Sequence, residues 1–102
     1  MLVAILCFNV AFIFLYKPQI KSQNIGQAFT AEELKKFDGT DSNLPIYISY
    51  NGDIYDVTAG KDYYTTNGVY HYLAGRDSTA ELNFAGGGII KTKYKIIGHL
   101  VK

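Results

Sequence analysis

The chain has 102 residues, of which 48% are hydrophobic and 19% charged, and its formal net charge is +1. That length holds one domain, and with no basic run longer than Lys35-Lys36 the chain lacks the electrostatic footprint of a nucleic-acid binder. Its single cysteine, Cys7, excludes an intrachain disulfide.

The first element is apolar. Residues 1–16, MLVAILCFNVAFIFLY, carry no charge, and Asn9 is their one clearly polar side chain. As a helix this run would measure about 24 Å at ~1.5 Å per residue, slightly less than the ~30 Å hydrocarbon core, a mismatch that bilayer thinning and snorkelling flanks accommodate. The run is expected to be a membrane segment or a secretory signal. No basic residue precedes Lys17, and the run ends in bulky Phe14, Leu15 and Tyr16. A signal peptide wants a basic leader and a small-residue cleavage site, so an uncleaved anchor is favoured, with secretion as the alternative. Lys17 and Lys21 on the C-terminal flank lean the rest of the chain toward the cytosol.

Residues 17–28 read as a polar linker, leaving residues 29–102 as the globular part. In FTAEELKKF, Thr30 and Glu33 have capping-box spacing, and Phe29 and Leu34 can form a hydrophobic staple. A helix over Ala31–Phe37 is predicted, stopped by Asp38-Gly39. IYISYNGDIYDVT predicts a hairpin. Ile46, Ile48 and Tyr50 alternate with Tyr47 and Ser49, Asn51-Gly52 suits a type I′ turn, and Ile54, Tyr55 and Val57 return. Further on, Asn67 caps a predicted helix presenting Tyr70, Leu73 and Ala74 on one face, with Gly75 at its C′ position. Asp77 or Ser78 caps a second helix through Phe84, and Ser78 with Glu81 has the spacing of another capping box. Ala85-Gly86-Gly87-Gly88 breaks that helix, and the tail Lys91–Lys102 is rich in β-branched residues suited to a strand. Short helices around a hairpin and a late strand indicate α+β. On spacing alone, Tyr70 beside Leu73 reads as core.

The ordered run FTAEELKKFDGTD, PIYISYNGDIYDVTAG and DYYTTNGVYHYLAGRDSTAEL resembles the membrane-associated progesterone receptor family. This is a branch of the cytochrome b5-like haem- and steroid-binding fold that includes neudesin and neuferricin. The resemblance runs from about Phe29 to Phe84 and resumes at Lys93 to Val101. It implies an α+β cytochrome b5-like domain preceded by one N-terminal transmembrane helix. It also implies a non-enzymatic role. The H-P-G-G turn of true cytochromes b5 is missing. The family instead holds haem b through one tyrosine phenolate, and the matching position here is Tyr70. A second pocket tyrosine falls on Tyr64, and the family's Lys-Tyr pair falls on Lys93-Tyr94.

That set is chemically coherent. A free phenol titrates near pH ~10, but ferric iron, a nearby cation and a hydrogen-bond donor all favour the phenolate. Lys93 would supply the charge, and Tyr64 or Tyr94 the hydrogen bond. The implied roles are regulation of sterol metabolism, haem handling, or regulation of haem monooxygenases of the endoplasmic reticulum. The implied partners are the membrane, those monooxygenases or other membrane proteins, and a second copy joined through haem; steroid is a further implied ligand. A haem-free interaction adaptor and a b5-type electron carrier are the alternatives. The carrier needs two histidines; His71 and His99 have no family counterpart as ligands and read as surface residues. Arg76 is expected to pair with Asp56, Asp62 or a haem propionate, and Asp77 to cap. Where the family carries a long helical insertion before its Lys-Tyr pair, this chain has only Ala85 to Thr92. The resemblance therefore implies a pocket missing part of one wall, with the glycines closing a shortened loop.

Overall fold

The computed structural model describes residues 26–102. The expectations for an anchor over residues 1–16 and for most of the linker lie outside the described residues. Among the described residues no helix is long and apolar enough to cross a membrane.

The hairpin organises the domain. Strands β2 (Tyr47–Tyr50) and β3 (Asp53–Asp56) pair antiparallel around Asn51 and Gly52, whose φ values of 53° and 86° are those of the expected turn. Strand β4 (Lys95–Leu100) pairs antiparallel with β3, and the short β1 (Ala28–Phe29) adds in parallel to β4, giving the order β1-β4-β3-β2. Side-chain alternation then sends residues to opposite faces. Phe29, Leu34 and Ile54 pack on one face with Phe37 and Tyr47. Ile48, Tyr50, Tyr55 and Val57 pack on the other with Tyr64, Leu73, Leu82 and Ile90.

Helix α1 (Ala31–Leu34), continued by a 3-10 turn through Phe37, covers the first face. Its capping box forms as expected. The Glu33 N–H donates to Thr30 Oγ1 at 3.1 Å and the Thr30 N–H to Glu33 Oε1 at 2.9 Å. The staple partners Phe29 and Leu34 share one apolar cluster.

The opposite face departs from expectation in three places. Helix α2 is Lys61–Tyr64, N-terminal to the helix predicted after Asn67. Residues 67–70 form turns, and only a 3-10 turn, His71–Leu73, follows. The i, i+3, i+4 spacing of Tyr70, Leu73 and Ala74 is that of a helix too short to nucleate by itself, and hydrogen bonds to the sheet decide the path. Helix α3 (Thr79–Phe84) forms, but Ser78 and Glu81 do not make a capping box. The Ser78 hydroxyl donates inward to the Leu73 carbonyl at 2.8 Å, Asp77 Oδ1 accepts from the Thr79 N–H, and Glu81 pairs with Arg76 at 2.9 Å. Among the described residues Arg76 pairs with Glu81 and not with Asp56 or Asp62. The third departure is α4 (Gly87–Lys93). Helix α3 ends at Phe84 with Ala85 as its C-cap, and a new helix begins directly after Gly86, whose φ is +99°.

Ala74-Gly75-Arg76-Asp77 is a clamp. It runs along the outer edge of β2, with the Gly75 N–H donating to the Tyr47 carbonyl at 2.7 Å, the Ser49 N–H to Arg76 at 3.1 Å and the Ser78 N–H to Ser49 at 2.8 Å. An unpaired strand edge is thereby satisfied. Gly75 needs its φ of +73°, and a Cβ there would strike Asp38. The tyrosine-rich segment is fixed to the sheet at this point.

Candidate functional site

Between α2, the 3-10 turn, α3 and α4 lies a cleft of about 810 Å³. Its floor is Leu73, Leu82 and Ile90, all buried. Tyr64 and Tyr70 stand on one wall, and Phe84, Gly86 and Ile89 on the facing wall. The size is within the ~300–1,000 Å³ typical of organic-ligand sites, and the apolar lining with a few polar atoms is typical too.

The tyrosines are ordered by α2 and the turn after it. The Tyr70 N–H donates to the Tyr63 carbonyl at 2.8 Å, which folds the Gly68-Val69-Tyr70 turn back onto α2. Tyr70 thereby comes close to two rings, 5.9 Å from Tyr63 and 6.0 Å from Tyr64, centroid to centroid. Tyr64 is buried, whereas Tyr70 keeps 45% of its surface exposed. Behind Tyr64 stands Tyr94, edge to face at 6.4 Å. Burial holds the Tyr64 phenol well above its ordinary pKa, and the neighbouring Tyr94 phenol and Tyr70 add to the shift. Tyr64 is therefore a neutral hydrogen-bond donor throughout the physiological range.

The four residues singled out in the sequence separate into two layers. Tyr64 and Tyr70 line the cleft, while Tyr94 and Lys93 are not among its lining residues. Tyr94 reaches the site through Tyr64, and the Lys93 ammonium sits 5.9 Å from the Tyr94 ring centre, exposed to solvent. His71 has its Nδ1 3.3 Å from the Tyr64 carbonyl, and His99 lies on β4 in register with Asp53 and Ala28. Neither histidine lines the cleft.

The facing wall was not legible beforehand. The resemblance implies a wall missing part of its length, with the glycines closing a shortened loop; that segment is helix α4 and not a plain loop, and it places Ile89 and Ile90 against the cleft. The available signal was the four-residue spacing of Ile90 and Tyr94, both packed in the larger core. Gly87 lets the helix approach the sheet, since a Cβ there would collide with the Tyr50 hydroxyl.

The donor set limits what the cleft can hold. Among the described residues no group of three His, Cys, Asp or Glu side chains could bind a bare metal ion. A cleft with apolar floor and walls and a half-exposed phenol fits a metal that brings its own equatorial ligands, or an apolar ring system without a metal.

Comparison with known proteins agrees with this architecture. An Arabidopsis thaliana protein described as having a cytochrome b5 like fold superposes with a TM-score of 0.68 at 27% identity, over 82% of this chain and 98% of that one. A cytochrome b5 domain protein of Hadesarchaea gives 0.62 at 30% identity, over 74% and 99%. Membrane-associated progesterone-binding protein 4 of Arabidopsis thaliana is 38% identical over 91 residues, 80% of this chain and 36% of its own length. A neuferricin homolog of Caenorhabditis elegans is 41% identical over 69 residues, 65% of this chain and 21% of its own length. The chain spans from 21% to 54% of the length of the curated relatives it first matches. The matching family model, Cytochrome b5-like Heme/Steroid binding domain, covers residues 30–100 and so takes in strands β2 to β4, the clamp and both walls of the cleft. With that span matched and the expected relatives found, the chain belongs to the cytochrome b5-like haem/steroid-binding domain family.

Proposed function

We propose that the chain is a non-enzymatic haem-binding protein in which Tyr70 supplies the single axial ligand. The observation that carries this reading is the pairing of Tyr64 and Tyr70 on the wall of an apolar cleft. Haem b, when bound, supplies a ferric centre that an anionic oxygen donor favours over the ferrous state. Tyr70, half exposed, is the phenol able to reach the ligand. Tyr64, neutral and buried, donates a hydrogen bond toward the ligating oxygen. Tyr94 backs Tyr64, and Lys93 contributes positive charge from outside the cleft. The apolar floor excludes water from the bound face.

Residues 1–16 hold the domain at an endomembrane, with the domain on the cytosolic side. There it serves sterol metabolism or haem handling, acting on haem monooxygenases or other membrane proteins, and a second copy can join through exposed haem. Relatives carrying names such as membrane steroid-binding protein 2 support a second ligand class for the same cleft, since a fused apolar ring system suits its lining equally.

The test is spectroscopic. The full chain in mild detergent is titrated with hemin. Wild type is expected to give a high-spin ferric spectrum that Tyr70→Phe loses. Absence of binding by wild type would favour a haem-free adaptor. A low-spin spectrum indifferent to Tyr70→Phe but lost in His71→Ala with His99→Ala would favour an electron carrier.

A further inference from the structure

Apart from Glu81, whose carboxylate is paired with Arg76, the rim of the cleft is apolar and open to solvent. Tyr72, Phe84 and Ile89 line it at 61%, 92% and 63% exposure, and Val69 beside Tyr70 is 71% exposed. Large apolar side chains left exposed around a cleft are the kind of surface that docks on a partner. The charge pattern of the chain indicates what docks. All nine carboxylate side chains of the sequence lie between Glu32 and Glu81, where only Lys35, Lys36, Lys61 and Arg76 oppose them, a net of −5. From Leu82 to the end there are four lysines and no carboxylate side chain, a net of +4. That basic end includes the facing wall of the cleft. Phe84 ends α3, and α4 carries Ile89 with exposed Lys91 and Lys93, whereas Lys95 at the start of β4 is in register with Asp56 on the other sheet face. Apolar side chains set among lysines are the surface that anionic lipid headgroups attract.

The sequence outside the described residues supplies the second argument. Residues 1–16 are uncharged, and only nine residues, 17–25, separate them from the described domain. Nine extended residues reach about 30 Å, close to the roughly 30 Å width of a domain of this size. The domain enters from β1, packed on the sheet face that α1 covers, and the cleft lies on the opposite face. A tether of that length suffices for the cleft to turn toward the bilayer, and it holds the rim there at high effective concentration.

We propose that the rim formed by Val69, Tyr72, Phe84 and Ile89, with the lysines of α4, docks on an anionic bilayer surface, so that the cleft exchanges its apolar ligand directly with the lipid phase. The inference rests on the reading of the cleft as the ligand site and of residues 1–16 as an anchor. It does not depend on which side chain ligates.

The chain contains no tryptophan, so Phe84→Trp installs a single emitter at an exposed rim position, and Ile89→Trp repeats the measurement from α4. Each full-length, ligand-free variant is reconstituted with phosphatidylcholine vesicles with and without phosphatidylserine, and attachment is read by flotation. The expected result is blue-shifted emission, quenched by brominated lipids, in the phosphatidylserine vesicles and reversed by high salt. Adding Lys91→Gln is expected to lower the ratio of docked to undocked rim by roughly 5-fold, one lysine's share of headgroup attraction, while the hemin spectrum of that variant stays as wild type. Emission that remains water-exposed on floated vesicles overturns the docking and leaves the anchor standing. A blue shift that instead grows with protein concentration in lipid-free detergent assigns the rim to a second copy and also overturns it. A chain that does not float overturns the docking together with the anchor, and hemin binding by the same sample reports on the ligand reading separately.

Discussion

Tyr64 carries the clearest residue-scale consequence. Its phenol is raised above the ordinary value chiefly by burial, so the folded state keeps a proton that the unfolded chain releases near pH ~10. Stability from this group is fully present below that pH and falls as pH rises above it. Thermal midpoints measured from pH 8 to 11.5 are expected to drop steeply at the alkaline end in wild type and less steeply in Tyr64→Phe. Gly60 is the second residue to test. A Cβ there would collide with the Tyr94 hydroxyl and lie 3.1 Å from Tyr64 Cε2, so Gly60→Ala overpacks the junction behind the cleft. The expected cost is about 1–3 kcal/mol in urea unfolding, with weakened hemin binding because Tyr94 no longer backs Tyr64.

Among the elements, caps and clamps set the domain's weak points. Helix α1 has four residues, far below the length at which a helix stands alone, so its cap and its buried Leu34 maintain it. Thr30→Ala removes the acceptor of the Glu33 N–H and is expected to destabilise by about 1 kcal/mol, read as a lower denaturation midpoint at unchanged slope. The clamp along β2 is more sensitive. Gly75→Ala meets both a φ of +73° and the Asp38 side chain; the variant is expected to lose the fixed approach of the Tyr70 segment, seen as faster amide exchange from Gly68 to Ala74 than in wild type.

For the whole molecule, the described domain is small, and domains of such size bury only about 60% of their unfolded surface. A ligand filling a cleft between four elements therefore adds a large fraction of the total stability. At roughly a hundredfold over its Kd, hemin adds about 2.7 kcal/mol, which for so small a domain is a thermal midpoint about 10–20 °C higher. Calorimetry with and without hemin checks this, and the rise is expected to vanish in Tyr70→Phe. A rise retained by Tyr70→Phe would mean that the cleft binds the porphyrin face without the axial bond.

The sequence by itself determined the features that depend on neighbours along the chain. Thr30 and Glu33 meet because they are three apart, Asn51-Gly52 sets the hairpin because only those residues tolerate the turn cheaply, and Gly75 takes its positive φ where the helical spacing ended. The ordered motifs likewise identified the family before any coordinates. Tertiary structure decided what depends on contacts distant in sequence. Tyr70 follows a turn because the Tyr63 carbonyl and the β2 edge hold its segment; helical spacing over a single turn was too weak a signal to compete. Ser78 turns inward because the Leu73 carbonyl is buried beside it. The facing wall of the cleft exists because Gly87 admits a helix against Tyr50 and Ile90 finds the core. A run of glycines encodes only freedom of the backbone, and packing against the sheet converts that freedom into a helix.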